Sequence, residues 1–570
     1  MFLHTESRDT QSLAGTWQAF PDPYRWFEDN WFDDSGVPFE RDPAPPSDYD
    51  VDDGYAVEVP GCMGEQIEAL RYYEGLTWYV RRFDHAADAD RAFLRFGAVN
   101  YAADVWLNGT HVGHHEGGYT PFSFEVTGAI EPTDNLLVVS ADNTRHDTAI
   151  PETQTDWFNF GGIFRPVDVV CVPETFVRHV KVETNIEPDK VIANVDAWID
   201  GDDPEGVAVE LPELDAKATV DRAATRDGLV RFSGTVELDR DAVTLWDAEQ
   251  PRLYDIAVTC ETDRLDERIG FREVAVEGGD VLLNGEPVEL RGVSMHEESA
   301  GRGRALTASD IERRFEWLGQ LGCNFARLAH YPHTERIARR ADEEGILLWE
   351  EVPAYWQITF EQDDVQELYR QQLRELIQRD WNRPSVLLWS IANETDHEDD
   401  VRNRVLPDMV AYVRELDETR LVTAACWLDE TETGFELRDP LADTLDVVGI
   451  NEYRGWYEGK ADDLNRFAGD PDGPPIVISE TGAGAEWGNH GPADERWTEE
   501  FQAAYYRDTL RAIDGNEQIV GLSPWILFDF MSPRRLNPHQ RGYNRKGLLD
   551  ERGRKKRAFD VLAEHYRGRQ

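Results

Sequence analysis

The stretch VLLWSIANE, residues 386–394, indicates most directly how this chain folds. Six of its first seven residues are apolar, and the run ends in the polar pair Asn393-Glu394. Apolar runs without alternation are typical of parallel strands that are buried on both faces. A carboxylate directly after such a strand would be desolvated, which is unfavourable unless it has a partner or a function. We therefore expect a parallel strand that carries a functional glutamate at its carboxyl end.

The same pattern recurs in the C-terminal half of the chain, where the run IVISE, residues 476–480, ends at Glu480. Stretches of helical periodicity alternate with eight candidate strands, which lie around Leu290 and at Phe325–Leu328, Ile346–Trp349, Val386–Ile391, Leu421–Ala425, Val447–Asn451, Ile476–Glu480 and Ile519–Trp525. Eight alternations over residues 276–570 predict a (β/α)8 TIM barrel, whose chemistry lies at the carboxyl ends of its strands. Strands four and seven lie across the barrel mouth from each other, so Glu394 and Glu480 can flank one bond.

The residues before the barrel predict β-structure in two parts. Residues 1–175 contain short alternating segments between turn residues, and Asn108-Gly109 marks a tight hairpin. Residues 176–275 contain shorter strands over a length that suits an immunoglobulin-like β-sandwich. We therefore predict three domains, at 1–175, 176–275 and 276–570.

The composition excludes several classes of protein. The 570 residues include 58 Lys+Arg and 112 Asp+Glu, which gives a net charge of −54. A hydrophobic content of 41% is ample for a packed core, so intrinsic disorder is not expected. So acidic a surface repels nucleic acid and anionic lipid, and no apolar run approaches membrane-spanning length. Only seven of the basic residues are lysines, and this acidic, lysine-poor composition predicts a halophilic protein.

Cysteines and the N-terminus bear on the cellular compartment. The five cysteines lie far apart with no CxxC pair, which argues against a disulfide framework or a zinc site. The first residues, MFLHTESRDTQSL, lack the basic and apolar regions of a signal peptide. We expect a cytoplasmic protein with reduced thiols.

Two carboxylates that flank one bond have a specific use in glycoside hydrolysis. One, with its pKa raised by burial and by its neighbour's charge, protonates the leaving oxygen, while the other stays ionised and attacks the anomeric carbon. A separation of about 5–5.5 Å gives a covalent intermediate and retention of configuration. For either glutamate alone, a strand-end salt bridge is the alternative.

Several motifs in order along the chain resemble glycoside hydrolase family 2 over nearly the whole length. They are VWLNG at 105–109, GGYTPF at 117–122, WFNFGGIFRPV at 157–167, RGV at 291–293, HYP at 330–332, WSIANE at 389–394 and IVISE at 476–480. The resemblance implies a sugar-binding-like jelly roll, then an immunoglobulin-like sandwich, then a catalytic barrel. It also implies a carbohydrate substrate, Glu394 as acid/base, Glu480 as nucleophile and no cofactor for the chemistry.

The resemblance leaves the substrate open between two classes. Asn544 and Lys546 in the stretch NRKG are similar to the Asn-x-Lys pattern with which β-glucuronidases hold the sugar carboxylate, and Arg541 can add charge for an acidic sugar. We therefore expect a retaining exo-β-glycosidase that releases terminal β-glucuronosyl residues. The alternative is a β-galactosidase of the same family, which would favour a bound Mg²⁺ or Na⁺. A non-catalytic carbohydrate-binding protein is the alternative from another class.

Further residues resemble sugar-binding positions of the family: Asp156, His296, His330, Asn393, Asn451, Tyr453 and Trp525. The pair His330-x-x-His333 lacks a third ligand at zinc-site spacing, so no metal site is predicted. The segment between residues 353 and 365 is short, which suggests an open pocket that fits oligosaccharide ends. We also expect a homo-oligomer.

Overall fold

The computed structural model describes residues 3, 5, 7–25, 53–85, 89–226, 228–431, 434–467, 473–514 and 516–569. The described chain forms a β-sandwich, a second smaller β-sandwich and a barrel, in that order. This architecture confirms the predicted fold class. No helix in these ranges is long and apolar enough to cross a membrane.

The first sandwich packs two antiparallel sheets around one apolar core. The strands of the smaller sheet are, in spatial order, Asp9–Ser12, Val167–Val172, Arg91–Phe96 and Phe122–Glu125. Those of the larger sheet are Tyr55–Val59, Gly15–Asp22, Leu76–Phe83, Asn135–Asp142, Ala102–Leu107 and Thr110–Glu116. Asn108 and Gly109 join the last two strands with φ values of 52° and 81°. Two positive φ values in a two-residue loop are those of the turn that matches strand twist, which confirms the predicted hairpin.

The second sandwich consists of seven antiparallel strands that share one core. In spatial order they are Phe176–Ile186, Lys190–Asp200, Leu229–Asp239, Ala216–Arg226, Val207–Leu211, Tyr254–Cys260 and Asp263–Ile269. The first half of Ala216–Arg226 pairs with Val207–Leu211 and its second half with Leu229–Asp239. This strand therefore links the two layers.

The barrel is closed by its first strand, which is split into Leu290–Arg291 and Ser294–Met295. The first piece pairs with the last strand and the second piece with the next one. The other strands are Phe325–Leu328, Leu347–Glu351, Val386–Asn393, Leu421–Cys426, Val447–Asn451, Ile476–Glu480 and Ile519–Leu522, and all pair in parallel. The eight predicted strands are thus confirmed, with ends that differ by a few residues.

Helices surround the barrel at Ala308–Leu321, Glu335–Glu344, Asp363–Asp380, Arg402–Leu416, Glu499–Ile513 and Arg557–Arg567, and a short helix in the first sandwich spans Met63–Gln66. The hairpin of Val274–Glu277, Asp280–Leu283 and Glu286–Pro287 leads into the barrel, and Val281 and Leu283 pack against Leu290 and Phe325. Short antiparallel pairs, Asp429–Glu430 with Phe435–Glu436 and Phe530–Met531 with Tyr543–Asn544, lie in loops that follow barrel strands.

A loop of the first sandwich reaches the barrel mouth. Its residues Trp157, Phe158 and Phe160 share an apolar cluster with Tyr355 and Trp525 of the barrel. The backbone N–H of Phe158 also donates to the Met531 carbonyl at 3.0 Å. Because this loop is anchored on the barrel, its polar residue Asp156 is held beside the carboxyl ends of the strands.

Candidate active site

A cavity of about 450 Å³ opens at the carboxyl ends of the barrel strands. It is lined by Asp156, His330, Tyr355, Trp356, Glu394, His397, Trp427, Leu428, Asp429, Asn451, Glu452, Tyr453, Arg454, Tyr457, Glu458, Glu480, Trp525, Arg535, Asn544 and Lys546. Loops of two domains and several strand ends therefore contribute to one site. Both predicted carboxylates are among its walls.

Glu480 is buried at the end of strand Ile476–Glu480, with one hydrogen bond on each oxygen. Arg327 Nη1 donates to Oε1 at 2.9 Å, and the Tyr453 hydroxyl donates to Oε2 at 2.6 Å. Burial raises the pKa of Glu480, although the charges of Arg327 and His330 oppose the rise. The two donors fix the carboxylate in one orientation, which suits attack on a single carbon.

Glu394 is half-buried and held differently. Its backbone has a φ of 51°, which is strained for a residue with a side chain. Asn451 Nδ2 donates to Oε1 at 3.0 Å, and Trp356 Nε1 donates to Oε2 at 2.8 Å. Both partners are neutral donors, and Glu394 forms no ion pair with a described residue.

Arg327 connects Glu480 to a second buried glutamate, Glu351, and to Asn393. It is fully buried, and its Nη2 donates to Asn393 Oδ1 at 2.7 Å and to Glu351 at 3.1 Å. Glu351 also accepts from His330 Nδ1 at 2.7 Å. Burial raises the pKa of Glu351, but the Arg327 charge together with the hydrogen bonds of His330 and Trp349 and the His330 charge outweighs it, so the pKa is lowered. An ionised Glu351 offsets the Arg327 charge and holds His330 in place.

Asn393 and Asn451 bridge the same network. Asn393 Oδ1 accepts from Asn451 Nδ2 at 3.1 Å, and Asn451 Oδ1 accepts from the Ser479 hydroxyl at 2.8 Å. The Nδ2 group of Asn393 is buried and has no hydrogen-bond partner among the described residues. A buried donor without a partner is unfavourable, and this one lies beside the cavity residue Asn451.

A cationic region lies at another wall of the cavity. The buried Lys546 Nζ donates to the Tyr457 hydroxyl at 2.7 Å and lies 4.9 Å from the centre of the Tyr453 ring. Lys546 forms no ion pair with any carboxylate in the described ranges. Beside it, Arg535 bonds both oxygens of Asp156, at 2.9 and 2.6 Å.

Asp156 holds this region together. Asn544 Nδ2 donates to its Oδ2 at 3.0 Å, and the Ser532 hydroxyl donates to its Oδ1 at 2.9 Å. Burial raises the pKa of Asp156, but the Arg535 hydrogen bonds and charge outweigh it, and the pKa is lowered. An ionised Asp156 therefore positions Arg535 and Asn544 next to Lys546.

Three family profiles match the chain in order. The description "Glycosyl hydrolases family 2, sugar binding domain" matches residues 10–173, "Glycosyl hydrolases family 2" matches 175–272, and "Glycosyl hydrolases family 2, TIM barrel domain" matches 274–566. The chain belongs to glycosyl hydrolase family 2. This confirms the resemblance found in the motifs, and it makes the protein a glycoside hydrolase that acts on carbohydrate.

Characterised relatives of this family 2 enzyme include the β-glucuronidases of Mus musculus, 29% identical over 98% of this chain and 91% of theirs, and of Paenibacillus borealis, 27% identical over 99% and 97%. Similar solved structures include an uncultured Clostridium sp. β-glucuronidase, with 26% identity, coverage of 100% and 99% and a TM-score of 0.86. A family 2 β-galacturonidase from Eisenbergiella tayi bound to galacturonate has 25% identity, coverage of 98% and 97% and a TM-score of 0.84.

Most of the predicted site residues of this family 2 enzyme line the cavity. Asn393 lies directly behind the lining residue Asn451, to which it is hydrogen-bonded, and two further residues lie away from the cavity. Arg541 is 67% exposed in its side chain and pairs with Glu486 Oε1 at 2.9 Å. It sits at the turn between Phe530–Met531 and Tyr543–Asn544 with a φ of 50°, and the turn directs it to solvent. Arg535, in the same loop, lines the cavity instead of Arg541.

His296 is the second residue that the structure keeps away from the cavity. Its Nδ1 is 2.9 Å from the Tyr331 hydroxyl, and its ring packs against Phe530 at 4.2 Å and Trp525 at 5.3 Å. Burial holds the pKa of His296 well below its usual value. His296 therefore supports Trp525, which itself lines the cavity and stacks on His330 with ring centres 4.8 Å apart.

Sequence reasoning missed Arg327, Glu351 and Trp356 of this family 2 site. A signal existed for the first two, because each is a charge inside or at the end of an apolar strand. Trp356, with a φ of 58°, gave none, because nothing in its local sequence indicates that its indole reaches Glu394.

Proposed function

We propose that this enzyme is a retaining exo-β-glucuronidase. The observation that carries the proposal is the Lys546 ammonium, which is buried in the same cavity as Glu394 and Glu480 and forms no ion pair with any described carboxylate, although the charge of Asp156 acts on it. Burying an unpaired charge is unfavourable, so the site favours a ligand that supplies the missing negative group. The carboxylate of a uronic acid is such a group.

The surroundings of Lys546 support recognition of a sugar acid. Arg535 and the Tyr457 hydroxyl lie on the same wall. Burial raises the pKa of Tyr457, but the charges of Lys546 and Arg535 outweigh it, so the pKa of Tyr457 is lowered. Asn544 Oδ1 accepts a hydrogen bond from the backbone N–H of Lys546 at 3.1 Å, which fixes the Lys546 backbone. Lys546 is one of only seven lysines in the chain, and it is buried at the cavity wall.

The proposed reaction has two steps. In the first, Glu480 attacks the anomeric carbon while Glu394 donates a proton to the leaving oxygen, which gives a covalent glycosyl-enzyme. In the second, Glu394 takes a proton from a water molecule that attacks the same carbon and releases the sugar acid. Arg327 and Tyr453 hold Glu480 during both steps.

Three nitrophenyl substrates test the proposal: the β-glucuronide, the β-galacturonide and the β-galactoside. We expect the highest kcat/KM on the glucuronide. Lys546→Met should lower that value roughly 100-fold, because the carboxylate loses a charged hydrogen bond, and should leave the galactoside within about twofold. Lys555→Met, at an exposed lysine, is the matched control and should change neither.

Two results would overturn the assignment. Higher kcat/KM on the galactoside than on the glucuronide would make the enzyme a β-galactosidase. A preference for the galacturonide would retain the carboxylate site and reassign the sugar, in line with the galacturonidase among its structural neighbours.

A further inference from the structure

An exposed tryptophan lies in the wall of the catalytic cavity. Trp427 is 41% exposed and lines the cavity together with Glu394. Trp487, which is 40% exposed, has the Arg554 guanidinium 3.5 Å from its ring centre and does not line the cavity. A large indole that remains open to water is unfavourable in the free protein and becomes favourable when a flat apolar group covers it.

The position of Trp427 relative to Glu394 shows which part of a substrate it meets. The backbone N–H of Glu394 donates to the Ala425 carbonyl at 2.9 Å, and Trp427 follows two residues later. Trp356 Nε1 also donates to Glu394, and the Arg534 guanidinium lies 5.0 Å from the centre of the Trp356 ring. Trp427, Trp356 and Glu394 line the same cavity, so a leaving group that Glu394 protonates lies in reach of the two tryptophans.

The charge of this end of the cavity is negative. Asp429, Glu452 and Glu458 line it, with Arg454 as the nearby cation. Arg454 contacts Glu452 at 3.3 Å and Glu458 at 3.1 Å, and it also pairs with Glu430 at 3.6 Å. His397 lies 3.4 Å from Asp429, and Arg534, beside Trp356, is a second guanidinium. The four carboxylates Asp429, Glu430, Glu452 and Glu458 thus face two guanidiniums, so the net charge stays negative and repels an anionic leaving group.

We propose that Trp427 forms a binding site for the first residue of the leaving group, and that this residue is an uncharged sugar. A pyranose ring has an apolar C–H face that can cover an indole and a polar rim that stays in water. The site is therefore cationic where it holds the glycone, at Lys546 and Arg535, and aromatic and anionic where it holds the leaving group. The proposal rests on the proposed function for the identity of the glycone alone.

Three glucuronides whose leaving groups contain no aromatic ring test this site. They are methyl β-glucuronide, a β-glucuronosyl-glucose disaccharide and a disaccharide of two glucuronic acids. We expect kcat/KM on the neutral disaccharide to exceed that on the other two by roughly tenfold or more. Trp427→Ala should remove most of this advantage and leave methyl β-glucuronide within about twofold, while Trp427→Phe should restore most of it. Trp487→Ala is the matched control.

A second variant tests the charge separately. Glu458→Gln, at an exposed position, should raise kcat/KM on the acidic disaccharide several-fold and leave the neutral one unchanged. An equal loss on all three substrates in Trp427→Ala, or no advantage of the neutral disaccharide in the wild type, would overturn the proposal. If the enzyme cleaves β-galactosides and no glucuronide, the proposed function fails, and methyl β-galactoside against lactose decides the role of Trp427 by the same comparison.

Discussion

At the residue scale, two glutamates of one cavity differ in what surrounds them. Glu480 is held by a guanidinium and a phenol, whereas Glu394 accepts hydrogen bonds only from an amide and an indole. The charge of Arg327 opposes the rise in the pKa of Glu480 that burial causes. We propose Glu480 as nucleophile because its two donors fix its orientation, and Glu394 as acid/base because it ends the motif WSIANE.

Two substrates whose leaving groups differ in their need for a proton show which glutamate is the acid. Glu394→Ala should lower kcat/KM by roughly 1,000-fold on an alkyl glucuronide but far less on a dinitrophenyl glucuronide, whose leaving oxygen needs no proton. Glu480→Ala should lower both equally. The measurement is the kcat/KM ratio of the two substrates in each variant. An unchanged ratio in Glu394→Ala would contradict its role as acid.

At the element scale, the loop that contains the antiparallel pair Phe530–Met531 with Tyr543–Asn544 supplies Arg535, Asn544 and Lys546 to the cavity. Its backbone is bonded to the segment that follows the first barrel strand, because Glu298 Oε1 accepts from the Met531 N–H at 2.9 Å. Burial raises the pKa of Glu298 to about 7. This carboxyl group therefore binds a proton more tightly in the folded protein than in the unfolded chain.

The sign of the resulting pH dependence follows from linkage. Between pH 4.5 and about 7 the unfolded chain has ionised this group and the folded protein has not, so the free energy of unfolding decreases as pH rises. Glu298→Gln keeps the acceptor for Met531 and removes the ionisation. It should be more stable than the wild type above pH 7, by about 3 kcal/mol at most, and equal below pH 4. Chemical denaturation at pH 5 and pH 8 measures this, and a pH-independent difference would contradict it.

The elements of the barrel were predictable, whereas part of the site was not. Runs such as IVISE predict both a strand and the residue at which it ends. A buried parallel strand is apolar throughout, so a carboxylate at its end is easy to recognise in the sequence. Arg535 and Arg541 lie in one loop and look equivalent in sequence. Only the turn geometry directs Arg541 to Glu486 and Arg535 to Asp156, and turn geometry depends on tertiary contacts.

At the scale of the whole molecule, the net charge of −54 is the dominant electrostatic feature. Self-repulsion of this size destabilises the compact state unless salt screens it. The screening length falls from about 10 Å at 0.1 M to about 3 Å at 1 M salt. A homo-oligomeric state and a cytoplasmic location stay predictions.

The charge predicts a salt requirement. The melting temperature and the specific activity should both rise from dilute buffer to molar KCl, because the acidic surface is then screened. Differential scanning calorimetry and an assay with nitrophenyl β-glucuronide over the same salt series measure the two quantities. A melting temperature that is highest in dilute buffer would contradict the halophilic assignment.

The central claim is that a glucuronosyl group is transferred to Glu480, and trapping that intermediate tests it most directly. A 2-fluoro-β-glucuronosyl fluoride forms the intermediate and slows its hydrolysis, so the peptide around residues 476–480 should gain the mass of one fluoroglucuronosyl group, and Glu480→Gln should gain none. A label on another residue would contradict the claim, as would no label under conditions where the fluorogalactosyl analogue reacts.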